Sequence, residues 1–361
     1  MPLPTSWNLP HYFYDSLTDA RIDADIATWL PITREYAERY KGKIRAFTTP
    51  EEVLEYYEYG ETIDMVGKKT MHYLSYLSAL DTQNTEVQKK LGELEYLSIQ
   101  LSELTLFVSQ EWKELGAEKI RAFAESPLLA AYRNDLIETA NSVQYVLEEA
   151  VERALTKKSR ALGIFGLHEE LRSSFEFPWT EEDGTQKKLT EEEIRAFAKN
   201  PNRDIRRKAA ESMNSIYLVH QNQITLGNLY TGIVKNWSSS MELRGYKTVM
   251  SKRNISEQVP DNVVDTLMSE VQKFYPLYQR FLRAKQKHLG LDTLHGYDVH
   301  APIFKIEKKI PYEEACKTVM EMFEGFDSRF GNYARDMLEA GRVDAFPKAG
   351  KRGGAFASYD K

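Results

Sequence analysis

Hydrophobic residues recur at intervals of three and four over most of this chain, which is the period of an amphipathic α-helix. The clearest run extends from residue 62 to about residue 109. The polar stretch DTQN at 81–84 interrupts it with residues that favour turns and helix caps. The pattern therefore predicts two helices in this run. It predicts a second helical pair over 117–162, whose second member begins at Ser126-Pro127.

The pattern changes between residues 175 and 190, FEFPWTEEDGTQKKLT. Apolar and polar residues alternate at its start, and Asp183-Gly184 tolerates the positive φ angles of a tight turn, so a short β-hairpin is predicted. Thr190 and Glu193 have the spacing of a capping box, which predicts the start of the next helix. We therefore expect three regions: an N-terminal helical region over 1–176, a hairpin and linker over 177–200, and a further region over 201–361.

Three more helical signals follow the hairpin. The longest extends from Arg203 to about Leu243 and ends at Gly245, since glycine is preferred just after a helix. A helix opened by Pro260-Asp261 contains Pro276, which should kink it because proline lacks a backbone donor. Another helix starts at Pro311.

Each of these helices carries an apolar face, and the face of the helix that starts at Pro311 is predicted to point inward. The faces are formed by Tyr230, Val234, Trp237 and Met241, by Val264, Leu267, Val271, Phe274, Tyr278 and Phe281, and by Ala315, Val319, Met322 and Phe326. His220 lies on the stripe of the first helix and is interpreted as a core histidine rather than a ligand. With short strands expected around 303–308 and 354–358, the predicted fold class is mostly α with a small β component.

Composition narrows the function classes. The chain has 361 residues and a net charge of −6, with both signs interspersed. The densest basic cluster, within 203–208, is interpreted as a solvated helix face, so no nucleic-acid partner is expected. No apolar run approaches the roughly 20 residues that span a bilayer, and no signal peptide is evident. The single cysteine, Cys316, excludes an internal disulfide and fits a reducing compartment, so a cytoplasmic location is expected.

Motifs that carry chemistry are scarce. A helical zinc site is most clearly marked by H-E-x-x-H, which places two imidazoles on one face, and this sequence contains no such run. His295 and His300 are five apart around a glycine, which suits a loop better than a metal site. The carboxylates at 191–193 are interpreted as ordinary charge at a helix start. No phosphate-binding glycine loop or nucleophile elbow is present. The residues alone therefore indicate no enzyme class.

Three stretches change that picture. RGYKTVMSKRNISEQVPDNVVDTLMSEVQ (244–272), LRAKQKHLGLDTLHGYDVHAP (282–302) and GRVDAFPKAGKRGGAFAS (341–358) resemble consecutive blocks of oligoendopeptidase F, in the thimet-type family of zinc metallopeptidases. The order and spacing of the blocks are similar as well, and the hairpin and helical N-terminal region fit. The GKRGGAF block is the most specific of the three.

The resemblance implies an almost all-helical body with a deep channel for short unfolded peptides. It implies that the chain is the N-terminal part of a zinc endopeptidase, ending in the first part of the catalytic domain and before the H-E-x-x-H helix. On this view zinc is the cofactor of the complete protein and is not bound by this chain. The 361-residue chain alone is then expected to be inactive, with no catalytic or metal-binding residue of its own.

The resemblance also gives candidate substrate-binding residues. Gly353, Gly354, Ala355 and Phe356 match the strand beside the family's cleft. Small residues permit close backbone approach, and a strand edge can align an extended peptide through its N–H and C=O groups. From the residues alone, these glycines form only a turn.

The expected partners are oligopeptide substrates, with a missing C-terminal half or a second copy of the chain as further partners. The alternative from another class is a non-catalytic helical scaffold, from a decayed or split peptidase. The two differ in their surfaces. A truncated catalytic domain leaves the apolar faces of the 203–243 and 261–290 helices uncovered, whereas a scaffold would carry polar residues there.

Overall fold

The computed structural model describes residues 2–160, 164–304 and 309–358. In this part of the chain the fold is mostly α-helical with one antiparallel β-hairpin, which confirms the predicted class. In chain order the elements are α1 (Leu9–Tyr12), α2 (Ala20–Tyr40), α3 (Pro50–Leu80), α4 (Thr85–Leu115), α5 (Ala117–Ala124), α6 (Arg133–Ser142), α7 (Glu149–Arg160), α8 (Ile164–Ser173), β1 (Phe177–Thr180), β2 (Gln186–Leu189), α9 (Glu191–Ala196), α10 (Arg203–Tyr217), α11 (His220–Arg244), α12 (Ser251–Ser256), α13 (Asp261–Lys273), α14 (Tyr275–His288), α15 (Tyr312–Phe326) and α16 (Ser328–Glu339).

The long helices α3 and α4 form the predicted pair and extend beyond the apolar run at both ends. A capping box begins α3: Thr49 accepts a hydrogen bond from the Glu52 N–H, and the Glu52 carboxylate accepts one from the Thr49 N–H. The predicted turn at 81–84 is confirmed. Asn84 ends it and caps α4, its side chain accepting hydrogen bonds from two backbone N–H groups of the first turn.

The second helical pair is more divided than the sequence pattern predicts. Over 117–160 the chain forms α5, α6 and α7, with 3-10 turns at Pro127–Tyr132 and Val143–Tyr145. Pro127 therefore begins a 3-10 turn and not an α-helix. Leu129, inside this turn, has non-helical backbone angles and a fully buried side chain. The non-helical backbone at Leu129 thus coincides with the burial of its side chain in the core.

Two clusters of buried apolar side chains stabilise the N-terminal region. The larger contains Tyr36, Tyr40, Ile44, Phe47, Val53, Tyr56, Phe107, Trp112, Ile120, Phe123, Ala124, Leu129, Leu136, Ala140 and Val143. The smaller contains Leu9, Tyr14, Ile22, Trp29, Tyr73, Leu74 and Leu94. Each large side chain contributes about 1.5–3 kcal/mol when fully buried. The smaller cluster thereby fixes the N-terminal segment against α3. This segment and the end of α3 line the candidate site described below.

The predicted hairpin is confirmed. β1 and β2 pair antiparallel with Phe177 opposite Leu189, and Gly184 adopts a φ of +88° in the loop between them. Thr190 caps α9 and Glu193 completes the predicted capping box. The hairpin packs on α10 through a third buried cluster: Phe177, Trp179, Ile194 and Ala209.

The helix predicted over 203–243 is two helices, α10 and α11. The break follows Tyr217, where the Asn222 side chain donates a hydrogen bond to the Ile216 carbonyl at 2.8 Å and Val219 adopts extended angles. His220 is consequently the first residue of α11 and is exposed, so its interpretation as a core histidine is wrong. Gly245 ends α11 in the left-handed region, as predicted.

Pro276 separates two helices instead of kinking one. α13 ends at Lys273, and Pro276 lies in the first turn of α14, where a missing backbone N–H costs no helical hydrogen bond. A further helix, α16, was not predicted; Asp327 caps it, since its side chain accepts a hydrogen bond from the Arg329 N–H.

The apolar faces of these helices are mostly exposed. Tyr230 on α11 is 71% exposed, Leu267 on α13 is 60% exposed and Met322 on α15 is 72% exposed. Met241, at 3% exposed, is the clear exception. The prediction that the face of the helix starting at Pro311 points inward was wrong, because no element among the described residues covers Val319, Met322 and Phe326. Exposed apolar faces of this extent are not the polar surface that a scaffold working alone would carry.

The basic cluster is only partly a solvated face. Arg206 is 3% exposed and its guanidinium lies 2.8 Å from the carboxylate of Asp298, which is fully buried. Arg203 donates to the same carboxylate at 3.0 Å. Lys208 lies over the Trp179 ring. Only Arg207 has the exposed surface pair that the sequence pattern suggested.

Neither additional strand is present in the described residues. Residues 303 and 304 form a bend, and 305–308 lie outside the described part of the chain. Residues 354–358 are irregular, because their neighbouring backbone groups are bonded elsewhere. The Arg352 N–H donates to the Ala79 carbonyl, the Gly354 N–H donates to Glu192, and Gly354 has a φ of +82°, which is incompatible with a strand.

Among the described residues, the model contains no helix long and apolar enough to span a membrane.

Candidate functional site

A cavity of about 1400 Å³ lies where the N-terminal segment, the end of α3, helices α8 and α9 and the segment 341–358 meet. Its volume exceeds the roughly 300–1,000 Å³ of ordinary small-molecule sites. All four predicted substrate-binding residues line it. The lining also includes Trp7, Tyr12, Phe13, Lys69, Tyr76, Glu169, Arg172, Glu191, Glu192, Arg195, Tyr312, Arg342, Asp344, Lys348, Lys351 and Arg352.

Backbone hydrogen bonds to the N-terminal segment position the first part of 341–358. The Asn8 N–H donates to the Gly341 carbonyl at 2.8 Å, and the Ala345 N–H donates to the Thr5 carbonyl at 3.0 Å. Gly341 has a φ of +68°, and a Cβ at this position would lie 3.1 Å from the Asn8 Cβ. Glycine is therefore required both by the turn and by the close approach of the two segments.

At Gly350 the segment 341–358 is joined a second time to the rest of the fold, here to the turn between α3 and α4. The Thr82 N–H donates to the Gly350 carbonyl at 2.8 Å, and the Arg352 N–H donates to the Ala79 carbonyl at 2.9 Å. Gly350 has a φ of +75°, and an added Cβ would lie 2.8 Å from an Asp81 carboxylate oxygen. The turn predicted from the DTQN stretch thus also holds the segment that carries the candidate residues.

Lys351 fixes the loop between these joints. Its ammonium group lies 2.5 Å from the Asp344 carboxylate and donates to the carbonyl oxygens of Asp344 at 3.1 Å and Phe346 at 2.8 Å. Both charged side chains are largely buried. The ammonium group is thereby occupied within its own loop and is not available to a ligand.

The predicted residues 353–356 form one wall of the cavity. The Gly354 N–H donates to a Glu192 carboxylate oxygen at 3.1 Å, and a Cβ on Gly353 would lie 3.1 Å from that same oxygen. Ala355 and Phe356 are exposed toward the solvent. Within the described part of the chain, the backbone N–H groups of Ala355 and Phe356 make no hydrogen bond. These groups are free to bind another peptide backbone.

Aromatic rings extend this wall. The Phe356 ring, 49% exposed, makes an edge contact with Trp7 at 5.9 Å between centroids, and Trp7 in turn contacts Tyr76 at 5.1 Å. The Arg352 guanidinium lies 5.6 Å from the Phe356 centroid. Trp7 comes from the N terminus, so sequence position gave no indication that it joins the site.

Glu191 organises the opposite wall. Its carboxylate accepts hydrogen bonds from Arg172 at 2.8 Å, from Arg195 and from Tyr217 at 2.6 Å. Burial alone would raise the pKa of Glu191, but these three hydrogen bonds outweigh burial and lower it. Burial and the bond to Glu191 raise the pKa of Tyr217. Glu191 is therefore a charged, fully paired group that holds α8, α9 and α10 together.

The interpretation of 191–193 as ordinary charge at a helix start holds only for Glu193, which completes the capping box with Thr190. Glu191 forms the network just described, and Glu192 accepts from Gly354. Three consecutive carboxylates thus have three separate roles. A sequence pattern cannot identify the roles of Glu191 and Glu192, because Tyr217 and Gly354, which donate to them, lie 26 and 162 positions away.

The described residues do not fit a metal centre. They contain no group of three or more His, Cys, Asp and Glu side chains that could hold an ion. His295 stacks on Tyr297 in the loop before α15, and Cys316 is buried in α15. The zinc implied by the resemblance is therefore not assigned to any residue in this part of the chain.

Comparison with known proteins agrees with this geometry. Residues 196–359 match the model of peptidase family M3. Oligopeptidase PepF of Bacillus subtilis is 25% identical over 325 residues, covering 89% of this chain and 48% of PepF. Group B oligopeptidase PepB of Streptococcus agalactiae is 25% identical over 299 residues, covering 81% of this chain and 49% of PepB.

The crystal structure of oligoendopeptidase-F from Enterococcus faecium has the same fold, with a TM-score of 0.66 and 20% sequence identity over 87% of this chain and 64% of that one. This chain spans about half the length of the two curated relatives. The match over residues 196–359, the relatives and the shared fold all make this chain similar to the oligoendopeptidase F group of peptidase family M3.

Proposed function

We propose that this chain is the N-terminal, peptide-binding portion of a zinc-dependent oligoendopeptidase that hydrolyses internal bonds of short unfolded peptides. The observation that carries the proposal is the position of Gly353, Gly354, Ala355 and Phe356. All four lie in one wall of a cavity of about 1400 Å³. They belong to the region 196–359 that matches the peptidase family.

The wall binds an extended peptide through its backbone. The free N–H groups of Ala355 and Phe356 can donate hydrogen bonds to the carbonyl oxygens of a peptide, in the manner of strand addition, and this needs no particular side chain. The exposed ring of Phe356 supplies an apolar contact beside them. Side-chain-independent binding of this kind suits an enzyme that acts on many short peptides.

The zinc, its ligands and the general base are supplied by residues outside this chain, either on a longer natural polypeptide or on a partner chain. A bound zinc would supply a water molecule of lowered pKa as the nucleophile for the peptide carbonyl. The residues of this chain bind and orient the substrate. We place the protein in the cytoplasm, and we keep the division at 177–200 as a prediction.

Exposed apolar faces favour this function over a non-catalytic scaffold. Tyr230, Val234 and Leu267 are between 46% and 71% exposed. A scaffold that works alone needs polar residues at such positions to stay monomeric. The faces are the surface against which further helices of a catalytic domain would pack.

The test begins with the purified 361-residue chain and an internally quenched oligopeptide. The proposal expects no cleavage and no stoichiometric zinc. The natural cellular product, captured by an antibody to this region, should be heavier than 41.8 kDa or carry a second chain, and it should cleave the peptide. Cleavage with stoichiometric zinc by the chain alone would overturn the division of labour. A cellular product of 41.8 kDa that has no partner and no activity would overturn the enzyme assignment.

A matched pair of variants tests the wall itself. Phe356→Ala removes the exposed ring in the cavity and should weaken binding of a labelled peptide by roughly tenfold, the order of one buried aromatic contact. Phe304→Ala removes a ring that is 74% exposed outside the cavity lining and should leave binding unchanged. Equal binding by both variants would remove Phe356 from the site.

A further inference from the structure

The cavity has a charge opposite to that of the chain as a whole. Seven cationic side chains and four carboxylates line it, a net charge of +3, whereas the chain carries −6. Charge of one sign in a concave surface focuses the electrostatic field and raises the local concentration of oppositely charged ligands. The lining is therefore an electropositive region in an acidic protein.

Most of this charge is already paired. Glu191 binds Arg172 and Arg195, and the Asp344 carboxylate binds Lys351. These ion pairs hold the walls in place, and their cations are not free to bind a ligand. A cation that is free to meet a ligand must therefore be found among the other cations of the lining.

Two of the remaining cations are weakly paired. The Arg352 guanidinium lies 3.8 Å from Glu169, beyond hydrogen-bond distance, and also contacts the Phe356 ring. Arg342 donates to the Tyr12 hydroxyl and pairs with Asp336 at 3.1 Å. Both are thus partly neutralised.

Lys69 and Lys348 are different. Both are exposed residues of the cavity lining, and neither has a carboxylate partner among the described residues. Lys69, in α3, lies with its ammonium group 4.6 Å from the centroid of the Tyr14 ring. Lys348 lies in the loop before Gly350. Each presents an uncompensated positive charge to the cavity.

We propose that this cavity selects peptides with acidic side chains, and that Lys69 and Lys348 are the residues that recognise their negative charge. The inference rests on the proposed peptide-binding function and adds a substrate class to it. The backbone groups at 355–356 bind any extended peptide, while the lysines favour the acidic ones. Glu192 does not cancel the effect, because the net charge of +3 already includes its carboxylate.

The experiment measures binding of three fluorescently labelled peptides to the purified chain by anisotropy. The peptides are identical except that their variable positions carry glutamate, glutamine or lysine. We expect the acidic peptide to bind about tenfold tighter than the basic one, and the difference to shrink as salt is raised.

Single variants then test the assignment to the two lysines. Lys69→Gln and Lys348→Gln should each weaken the acidic peptide about 2- to 5-fold, the range for exposed ion pairs, and leave the glutamine peptide unchanged. Lys235→Gln is the matched control, because Lys235 is an exposed lysine of α11 outside the cavity lining. Circular dichroism checks that all three variants keep the helical fold.

The outcomes separate the two proposals. Equal binding of all three peptides would overturn the charge selection and leave peptide binding intact. A preference that survives in both lysine variants would overturn the assignment to Lys69 and Lys348. Binding of none of the peptides would overturn the peptide-binding function itself and the selection with it.

Discussion

Asp298→Asn is the substitution with the largest expected effect away from the cavity. The Asp298 carboxylate is fully buried in the loop before α15 and accepts hydrogen bonds from Arg206 at 2.8 Å, from Arg203 at 3.0 Å and from the His295 N–H at 3.1 Å. An amide at this position keeps the shape but loses the charge. Arg206, only 3% exposed, is then left without its counter-charge.

The magnitude follows from burial. Breaking a buried ion pair by removing one partner costs about 3–5 kcal/mol, because the other charge stays buried and unpaired. The pKa of Asp298 gives a second measure. Burial would raise it, but the hydrogen bonds from Arg203 and Arg206 outweigh burial and lower it to about 2. Relative to an ordinary aspartate this corresponds to about 2 kcal/mol of stability. That contribution is present above about pH 4 and is lost as the pH falls toward 2.

Hydrogen–deuterium exchange of peptides covering 203–217 and 290–301 is the assay, since it reports local opening even when the whole chain does not unfold in one step. Asp298→Asn should lower the free energy of opening there by about 3 kcal/mol or more. The control is Asp204→Asn, which removes an exposed pair with Arg207 and should cost less than about 1 kcal/mol. A difference of less than about 1 kcal/mol between the two variants in the free energy of opening would contradict this prediction.

Two further predictions concern a glycine and a second ion pair. Gly350→Ala should lower the melting temperature, since the residue has a φ of +75° and its Cβ would meet Asp81. Gly92→Ala lies within a helix, and the added Cβ would meet no other atom, so this variant should raise the free energy of unfolding by about 0.5–1 kcal/mol. A Gly350→Ala variant that melts at a higher temperature than Gly92→Ala would contradict this prediction. Glu152→Gln should destabilise the contact between α7 and α11 by about 1–3 kcal/mol, because it weakens hydrogen bonds of 2.5 and 2.7 Å from Arg244. Burial would raise the pKa of Glu152, but the bonds from Arg244 lower it, so the difference between wild type and variant in thermal unfolding should be largest near pH 7 and shrink as the pH falls below 4.

The sequence predicted caps and turns correctly where neighbouring residues determine them. The capping box at Thr190, the hairpin loop at Gly184 and the left-handed glycine at Gly245 depend on residues within a few positions, and all three are confirmed. The break between α10 and α11 was missed, since it depends on the Asn222 side chain replacing a backbone donor. An apolar period alone does not reveal such a substitution.

Burial was harder to predict, because it depends on what covers a face. Leu267 and Met322 lie on regular apolar stripes and are nevertheless exposed. Arg206 was predicted to be solvated but is buried against Asp298. The sequence pattern did not indicate this pairing, because Asp298 lies 92 positions away. The sequence analysis identified residues 353–356 of the site through a family resemblance. It did not identify Trp7 or Glu192, which approach them only in the folded chain.

Hydrogen–deuterium exchange with and without a saturating extended oligopeptide tests the central claim most directly. We expect slower exchange in residues 350–358 and in α9, where the Glu192 carboxylate accepts a hydrogen bond from the Gly354 N–H, and unchanged exchange in the helices of the N-terminal region that lie away from the cavity. Unchanged exchange in 350–358, or protection confined to the exposed faces of α11 and α13, would contradict the assignment of this cavity as the peptide-binding site.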